Sequence, residues 1–313
     1  MNLNITKKLS NEAEIPFLRV GAVTGSTGIN VVSLFNGMGT LRQAFHNLGI
    51  KVNNYYSSEI KTYAIKLQQH HFPDVIQVGD IRNWREWDID WSSIDFIGSG
   101  SPCQDLSSIG KGAGLNGDKS SLFFVFVDIL NYCKSLNPNV KFLQENVGSA
   151  SKLDVGIMSR LLGVYPVRIN SSLVTAQLRD RYYWSNIKTK QSLFDLVTDI
   201  PQPKDKGILL KDIITSGNVD RIKSVCLIER YIGAIPKSDA AIQRHLKNRV
   251  DFGSYTVVLE NNLLRAFNKI EMCRLQGFTD NYCDILSEVE AGSLLGDGWT
   301  LPMIEHILSY LKL

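Results

Sequence analysis

The chain lacks several things that would place it quickly. Its five cysteines, Cys103, Cys133, Cys226, Cys273 and Cys283, stand at irregular spacings with no Cys-x-x-Cys pair. An odd, scattered set argues against a disulfide framework and against a zinc site; no metal is expected. It reads as reduced thiols of which at most one is reactive, and Cys133, inside a helical pattern, reads as a core thiol. No apolar run approaches the roughly 18 residues of a membrane span, so no membrane partner is expected. The opening stretch MNLNITKKLSNEAEIPF has two lysines but no apolar h-region, which makes a cytoplasmic protein the expectation. Gly37-Met38-Gly39 lacks the third glycine of a dinucleotide fingerprint, and a phosphate-loop lysine is missing too. NAD and ATP are therefore disfavoured.

Net charge is also scarce, at +3 over 313 residues, but it is unevenly spread. Residues 204–249 hold ten Lys/Arg against five Asp/Glu, a net of +5, which leaves −2 for the rest. A basic segment in a near-neutral body suits contact with phosphates; a solvated loop is the plainer alternative. Hydrophobic content of 44% and a mean hydropathy of −0.06 fit a globular chain with an ample core. One large domain, or a large one with a small one, fits the length.

Turn-rich residues 1–28 lead in, and strands and helices then alternate. Residues 30–35 (NVVSLF) read as a buried strand, 36–40 as a tight turn, and 41–48 as a helix closed by Gly49. Further strands are predicted over 51–58, 75–78, 94–99, 140–144, 167–173 and 182–185, with helices ending at His71 and spanning 122–135 and 154–162. The alternation predicts an α/β fold, a mostly parallel sheet with helices on both faces. Gly37, Glu59, Asp80, Cys103 and Glu145 all fall near strand carboxyl ends, where such folds bind ligands. The rhythm breaks over 188–263, which reads as a small insert; 265–278 and 302–311 then read as helices.

The chemistry sits on these junctions. A glycine turn after the first strand lets backbone approach a nucleotide-like ligand, although each glycine alone could be a simple turn. Glu59 suits a ribose diol and Asp80 an adenine amino group, so the trio points to an adenosyl ligand without pyrophosphate. Pro102-Cys103-Gln104 follows an apolar run and precedes Gly110, Gly112, Gly114 and Gly117, a composition typical of a lid. A thiolate at Cys103 could add to an electron-poor ring carbon, and Glu145, protonated or sharing a proton, could activate that ring. A buried structural thiol is the alternative for a lone cysteine. Arg179 and Arg181, two apart on a strand, share a face that Asp180 does not, and could serve a phosphate and a carbonyl oxygen. A surface arginine pair is the alternative.

In this order the motifs resemble those of the cytosine-5 DNA methyltransferases, over nearly the whole chain outside 1–28 and 188–263. Phe35-Asn36-Gly37-Met38-Gly39 resembles the first S-adenosylmethionine motif, Pro102-Cys103-Gln104 the nucleophile motif and Glu145-Asn146-Val147 the glutamate motif. Gln177-Leu178-Arg179-Asp180-Arg181 is similar to Gln-x-Arg-x-Arg, residues 271–278 to the penultimate motif, and Gly296-Asp297-Gly298-Trp299 to the last. SLFNGMGT and RYYW also resemble the animal de novo enzymes.

The resemblance implies a Rossmann-like S-adenosylmethionine methyltransferase fold acting on double-stranded DNA, with S-adenosylhomocysteine as product and the target cytosine flipped out. Cys103 would add to C6, Glu145 hold N3 and the exocyclic amine, Arg181 hold O2, and Arg179 support a phosphate or the lid. Phe35 would pack on the adenine, Glu59 bind the ribose, and Asp80 with Ile81 read the adenine edge. Asn36, Gly37, Met38, Gly39, Thr40, Ile60, Pro102, Leu122, Asp297, Gly298 and Trp299 would complete the cofactor site. Residues 188–263 would be the target-recognition domain, with 29–187 and 264–313 catalytic. Two departures stand out: Lys119 where an arginine is usual, and Asp297 where an asparagine is. The rivals are a tRNA cytosine-5 methyltransferase of the same fold and a non-catalytic DNA-binding relative. The presence of both Cys103 and Glu145 argues against the last.

Overall fold

The computed structural model describes residues 28–102, 122–219, 221–229, 256–261 and 263–312. Cys103, Gln104, Lys119, the glycines at 110–117, the lead-in 1–27 and residues 230–255 of the insert lie outside the described residues.

Strand β1 (Ile29–Leu34) is buried along almost its whole length, which is why its sequence is a nearly unbroken apolar run rather than an alternating one. Around it stand β2 (Val52–Ser58), β3 (Ile76–Gln77), β4 (Phe96–Ser99), β5 (Lys141–Val147), β6 (Val167–Asn170) and β7 (Asp180–Ser185). They form one sheet in the order β3-β2-β1-β4-β5-β7-β6. Every pairing from β3 to β5 is parallel, and β7 runs antiparallel between β5 and β6.

Among the described residues the helices are α1 (Thr40–Asn47), α2 (Thr62–His71), α3 (Leu122–Leu136), α4 (Lys152–Leu162), α5 (Lys269–Gln276), α6 (Glu288–Asp297) and α7 (Leu301–Leu308). The period of two divides each strand between two cores. Val31, Phe96, Leu143 and Tyr183 join the layer that holds α1, α2 and α5 to α7. Their chain neighbours Val32, Ile97, Phe142 and Trp184 join the opposite layer, with α3 and α4. The chain leaves β1 towards β2 and leaves β4 towards β5, so the pair β1–β4 is the switch point beyond which ligands bind in such sheets.

Several boundaries differ from the sequence reading. Residues 265–278 are not one helix. Arg265 ends a short strand, Leu263–Arg265, and α5 starts only at Lys269 because Asn268 and Glu271 form a reciprocal capping box, at 2.9 and 3.0 Å. The sixth strand stops at Asn170, whose side chain accepts from the Ser172 backbone and turns residues 171–173 into a short 3-10 turn. Glu145 lies inside β5 rather than after it. In the insert, β8 (Thr189–Gln191) and β9 (Leu196–Thr198) form a hairpin tied to the main sheet by Tyr165 and by Thr198 on Ser185. A second sheet joins β10 (Asn218–Val219), β11 (Val258–Glu260) and β12 (Leu263–Arg265). No described helix is long and apolar enough to cross a membrane.

Candidate active site

The turn after β1 is built to expose backbone. Phe35 and Gly37 have φ of 56° and 55°, and a Cβ on Gly37 would meet nothing nearer than 4.0 Å, so space stands open over it. Asn36, by contrast, is buried and structural. Its side chain accepts from Ser33 and Tyr55 and donates to Ser57, locking the turn to β2. Met38 and Thr40 are buried as well, and Tyr282 donates to the Met38 carbonyl at 2.9 Å.

Glu59, at the end of β2, accepts three backbone N–H groups: Gly37 at 2.7 Å on Oε2, with Ile60 at 2.7 Å and Lys61 at 2.9 Å on Oε1. A carboxylate offers about four acceptor sites, so one, on Oε2, is left for a ligand hydroxyl. That fits one ribose hydroxyl more readily than both. Ile60 beside it is 68% exposed, an apolar surface with no protein cover. The open glycine turn, the single acceptor and the bare isoleucine fit a nucleoside.

Asp80 is otherwise occupied. It accepts from the Arg82 backbone at 2.9 Å and from its guanidinium, which holds the carboxyl below its ordinary range. Reading an adenine edge would require it to release that exposed arginine. Ile81 is buried in the core.

Beyond β4, Pro102 is half-buried, and Ser101 is pinned by Gln144 and Asn146, at 2.9 and 3.3 Å, which ties the approach to Cys103 onto β5. Leu122 opens α3, partly buried against the second core. Glu145 is 8% exposed. Its Oε1 pairs with Nε of Arg181 at 2.7 Å, and its Oε2 accepts the Trp299 indole N–H at 3.0 Å. The strand register makes the pair: Glu145 faces Tyr183, with Val147 opposite Arg181. Asp180 turns the other way, onto Arg168.

The expectation that Arg179 meets a phosphate is corrected; the lid, its alternative partner, lies outside the described residues. Arg179 is 3% exposed, and its two terminal nitrogens donate to Cys226 Sγ (3.2 Å) and to the carbonyls of Leu227 (3.0 Å), Gly296 (3.1 Å) and Gly298 (2.8 Å). It bolts the insert and the 296–298 turn to β7 and is not presented to a phosphate.

Asp297, which the sequence places alone near the cofactor, has a partner. Lys61 Nζ lies 3.1 Å from Oδ2, and Ser293 and Glu229 complete the cluster. Partial burial pulls the lysine down, but the charge and hydrogen bond of Asp297, together with Tyr63 and Glu229, outweigh it and the Lys61 pKa rises. The acid is thereby neutralised by a residue two positions from Glu59.

The site thus joins Glu145, Arg181 and Trp299 on one side and Phe35, Gly37, Glu59 and Ile60 on another. The indole contact was beyond the sequence reading, which set Trp299 only among cofactor contacts. One signal was present: Gly100, where a Cβ would stand 2.7 Å from the Trp299 indole nitrogen. Gly100→Ala is expected to push the indole off Glu145 and slow turnover about tenfold to a hundredfold. Single-turnover rates check this. The penalty should vanish in a Trp299→Leu background, and its persistence there would assign it to another contact.

Residues 29–162 match the family model described as C-5 cytosine-specific DNA methylase. The Type II methyltransferase M1.ScrFI of Lactococcus lactis subsp. cremoris is 27% identical over 304 residues, covering 88% of this chain and 76% of its own length. The Type II methyltransferase M.HaeII of Haemophilus aegyptius is 27% identical over 310 residues, covering 88% and 90%. In fold, the chain is similar to the methyltransferase EhMeth of Entamoeba histolytica, with a TM-score of 0.62 at 18% identity, over 91% of this chain and 98% of that one.

Proposed function

The chain belongs to the C-5 cytosine methyltransferase family, and from that premise we infer that it methylates C5 of a flipped cytosine in double-stranded DNA. The observation that carries the reading is the Glu145 carboxylate, buried yet clamped from both sides by Arg181 and Trp299 beside the end of β4. The likeness to two Type II methyltransferases along 88% of the chain and the net +5 of residues 204–249 favour DNA. A restriction-modification role follows the same likeness.

S-adenosylmethionine, when bound, supplies the electrophilic methyl group; Phe35, Gly37, Glu59 and Ile60 would hold its nucleoside, with Trp299 and the Lys61–Asp297 pair nearby. Cys103 adds through sulfur to C6 of the ring, which makes C5 nucleophilic. Glu145, exchanging its Arg181 and Trp299 contacts for the base and taking up a proton, donates that proton to N3 and accepts from the exocyclic amine. Arg181, released, turns to the O2 oxygen. After methylation a water molecule takes the C5 proton, the C5–H electron pair re-forms the C5–C6 double bond as the C6–S bond breaks, Cys103 leaves as the thiolate, and the N3 proton returns to Glu145. Residues 188–263 would read the target sequence.

Bisulfite sequencing of the expression host's DNA, native chain against Cys103→Ala, tests this. Protected cytosines in one recurring context, absent in the variant, are expected. Methyl transfer to tRNA but not to duplex DNA would replace the DNA reading with an RNA one.

A further inference from the structure

Helix α4 is apolar on more than its buried side. It packs Met158 and Leu162 into the core, yet its other side carries Leu153, Ile157 and Leu161, four residues apart and so in one line. Leu153 is 70% exposed and Leu161 40%. The β8–β9 hairpin stands at the C-terminal end of this line. Tyr165 ties it there, donating to Leu196 O and accepting from Thr198 N, each at 2.8 Å. Between helix and hairpin lies a cleft of about 240 Å³, with Arg160 and Gly163 on one side and Phe194 and Asp195 on the other.

Neither surface is explained by the fold. The hairpin loop closes through Ser192 N on Asp195 O at 2.7 Å, and its two central residues are Leu193 and Phe194, 90% and 91% exposed. Small polar residues serve such a turn better. Gly156 lies in mid-helix beside the apolar line, where glycine is a poor helix former, and a Cβ there would meet nothing within 4 Å. Its missing side chain leaves room for a second helix to come close.

We propose that two copies of the chain pair through this face. Their α4 helices run antiparallel about a two-fold axis at Ile157, and the Leu193–Phe194 tip of each copy closes over Leu153 of the other. Self-complementarity commits the face to a second copy. In this register Leu153 meets Leu161 of the other copy, and Ile157 meets its own counterpart. Asp154 in the first turn then stands opposite Arg160 in the last turn of the other copy, so both ends match in charge. A parallel register would set Asp154 on Asp154 and Arg160 on Arg160.

The same operation carries Leu153, at the N-terminal end of α4, to the other copy's cleft, at the C-terminal end. The two-fold axis makes that contact twice. Leu153, Leu161, Leu193, Phe194 and Leu196 together expose roughly 600 Å², close to the ~800 Å² that each partner gives a standard interface. A monomer seldom carries so large an apolar patch without a use for it. The pairing stands or falls without the methyltransferase reading.

Sedimentation equilibrium of the full chain, from about 1 to about 100 μM, tests the pairing. The mass should rise from 35.1 kDa towards twice that value. Phe194→Asp and Leu153→Asp, both at exposed positions, should each weaken association at least about tenfold without lowering the denaturation midpoint. Diamide cross-linking in the Cys103→Ala chain reads the orientation. Two thiols give two electrons and two protons to diamide as the S–S bond forms. Leu153→Cys mixed with Leu161→Cys should yield a disulfide-linked dimer, and Leu153→Cys alone should not. A chain that stays at 35.1 kDa overturns the proposal, whether the face is open or covered by another part of the chain. So does a dimer that both aspartate variants leave intact, or one in which Leu153→Cys links to itself.

Discussion

Glu145→Gln is expected to slow methyl transfer about a thousandfold while the chain stays folded. The amide preserves shape and one acceptor oxygen, so the Trp299 N–H keeps a partner. It cannot carry the charge that faces Arg181 across 2.7 Å, where both side chains are 11% exposed. Arg181 retains the Asp180 carbonyl at 2.8 Å and the Cys226 sulfur, so the folding cost should stay near 1 to 3 kcal/mol. What disappears is the proton that Glu145 would give N3 as charge develops on the ring, because the amide can grip N3 and the exocyclic amine but has no proton to transfer. Single-turnover transfer and cofactor titration separate the two effects: the rate should fall while S-adenosylmethionine affinity holds. A near-native rate would remove Glu145 from the chemistry.

That pair was half legible in the sequence, and the reason is physical. Strand periodicity is local, so the apolar runs before Gly37, Pro102 and Glu145 announce β1, β4 and β5 with errors of one to three residues. The i, i+2 spacing of Arg179 and Arg181 likewise puts both on one face, and both reach the Cys226 sulfur. What each arginine does there is decided by remote partners. Gly296, Gly298 and Trp299 arrive from more than a hundred residues away, and Cys226 from the insert. Nothing in the local pattern separates the arginine that grips Glu145 from the one that holds three carbonyls. The same holds for Asp297, which looks like an unpaired acid until the fold sets Lys61 3.1 Å from it. The helical pattern expected over 265–278 holds only from Lys269, because side-chain capping by Asn268 sets where α5 begins.

Arg179→Ala tests the division of labour most sharply. It is expected to lower stability by about 3 to 5 kcal/mol and to abolish transfer together. The cost has a definite origin: the carbonyls of Leu227 and Gly296 lose a donor inside the protein, and Gly298 keeps only Gln276 at 3.3 Å. The 296–298 turn would then drift, and Trp299 with it, so Glu145 loses its indole bond without being touched. Arg179→Lys retains the charge but not the fork, and a single ammonium cannot span three carbonyls and a sulfur. It should therefore recover less than half of the lost stability in a denaturant titration. A phosphate-contacting arginine would behave in the opposite way. Its loss would leave the midpoint unmoved, weaken DNA binding, and flatten the dependence of that binding on salt. The denaturation midpoint and the salt slope, measured on the same two variants, decide whether Arg179 holds the protein or its substrate.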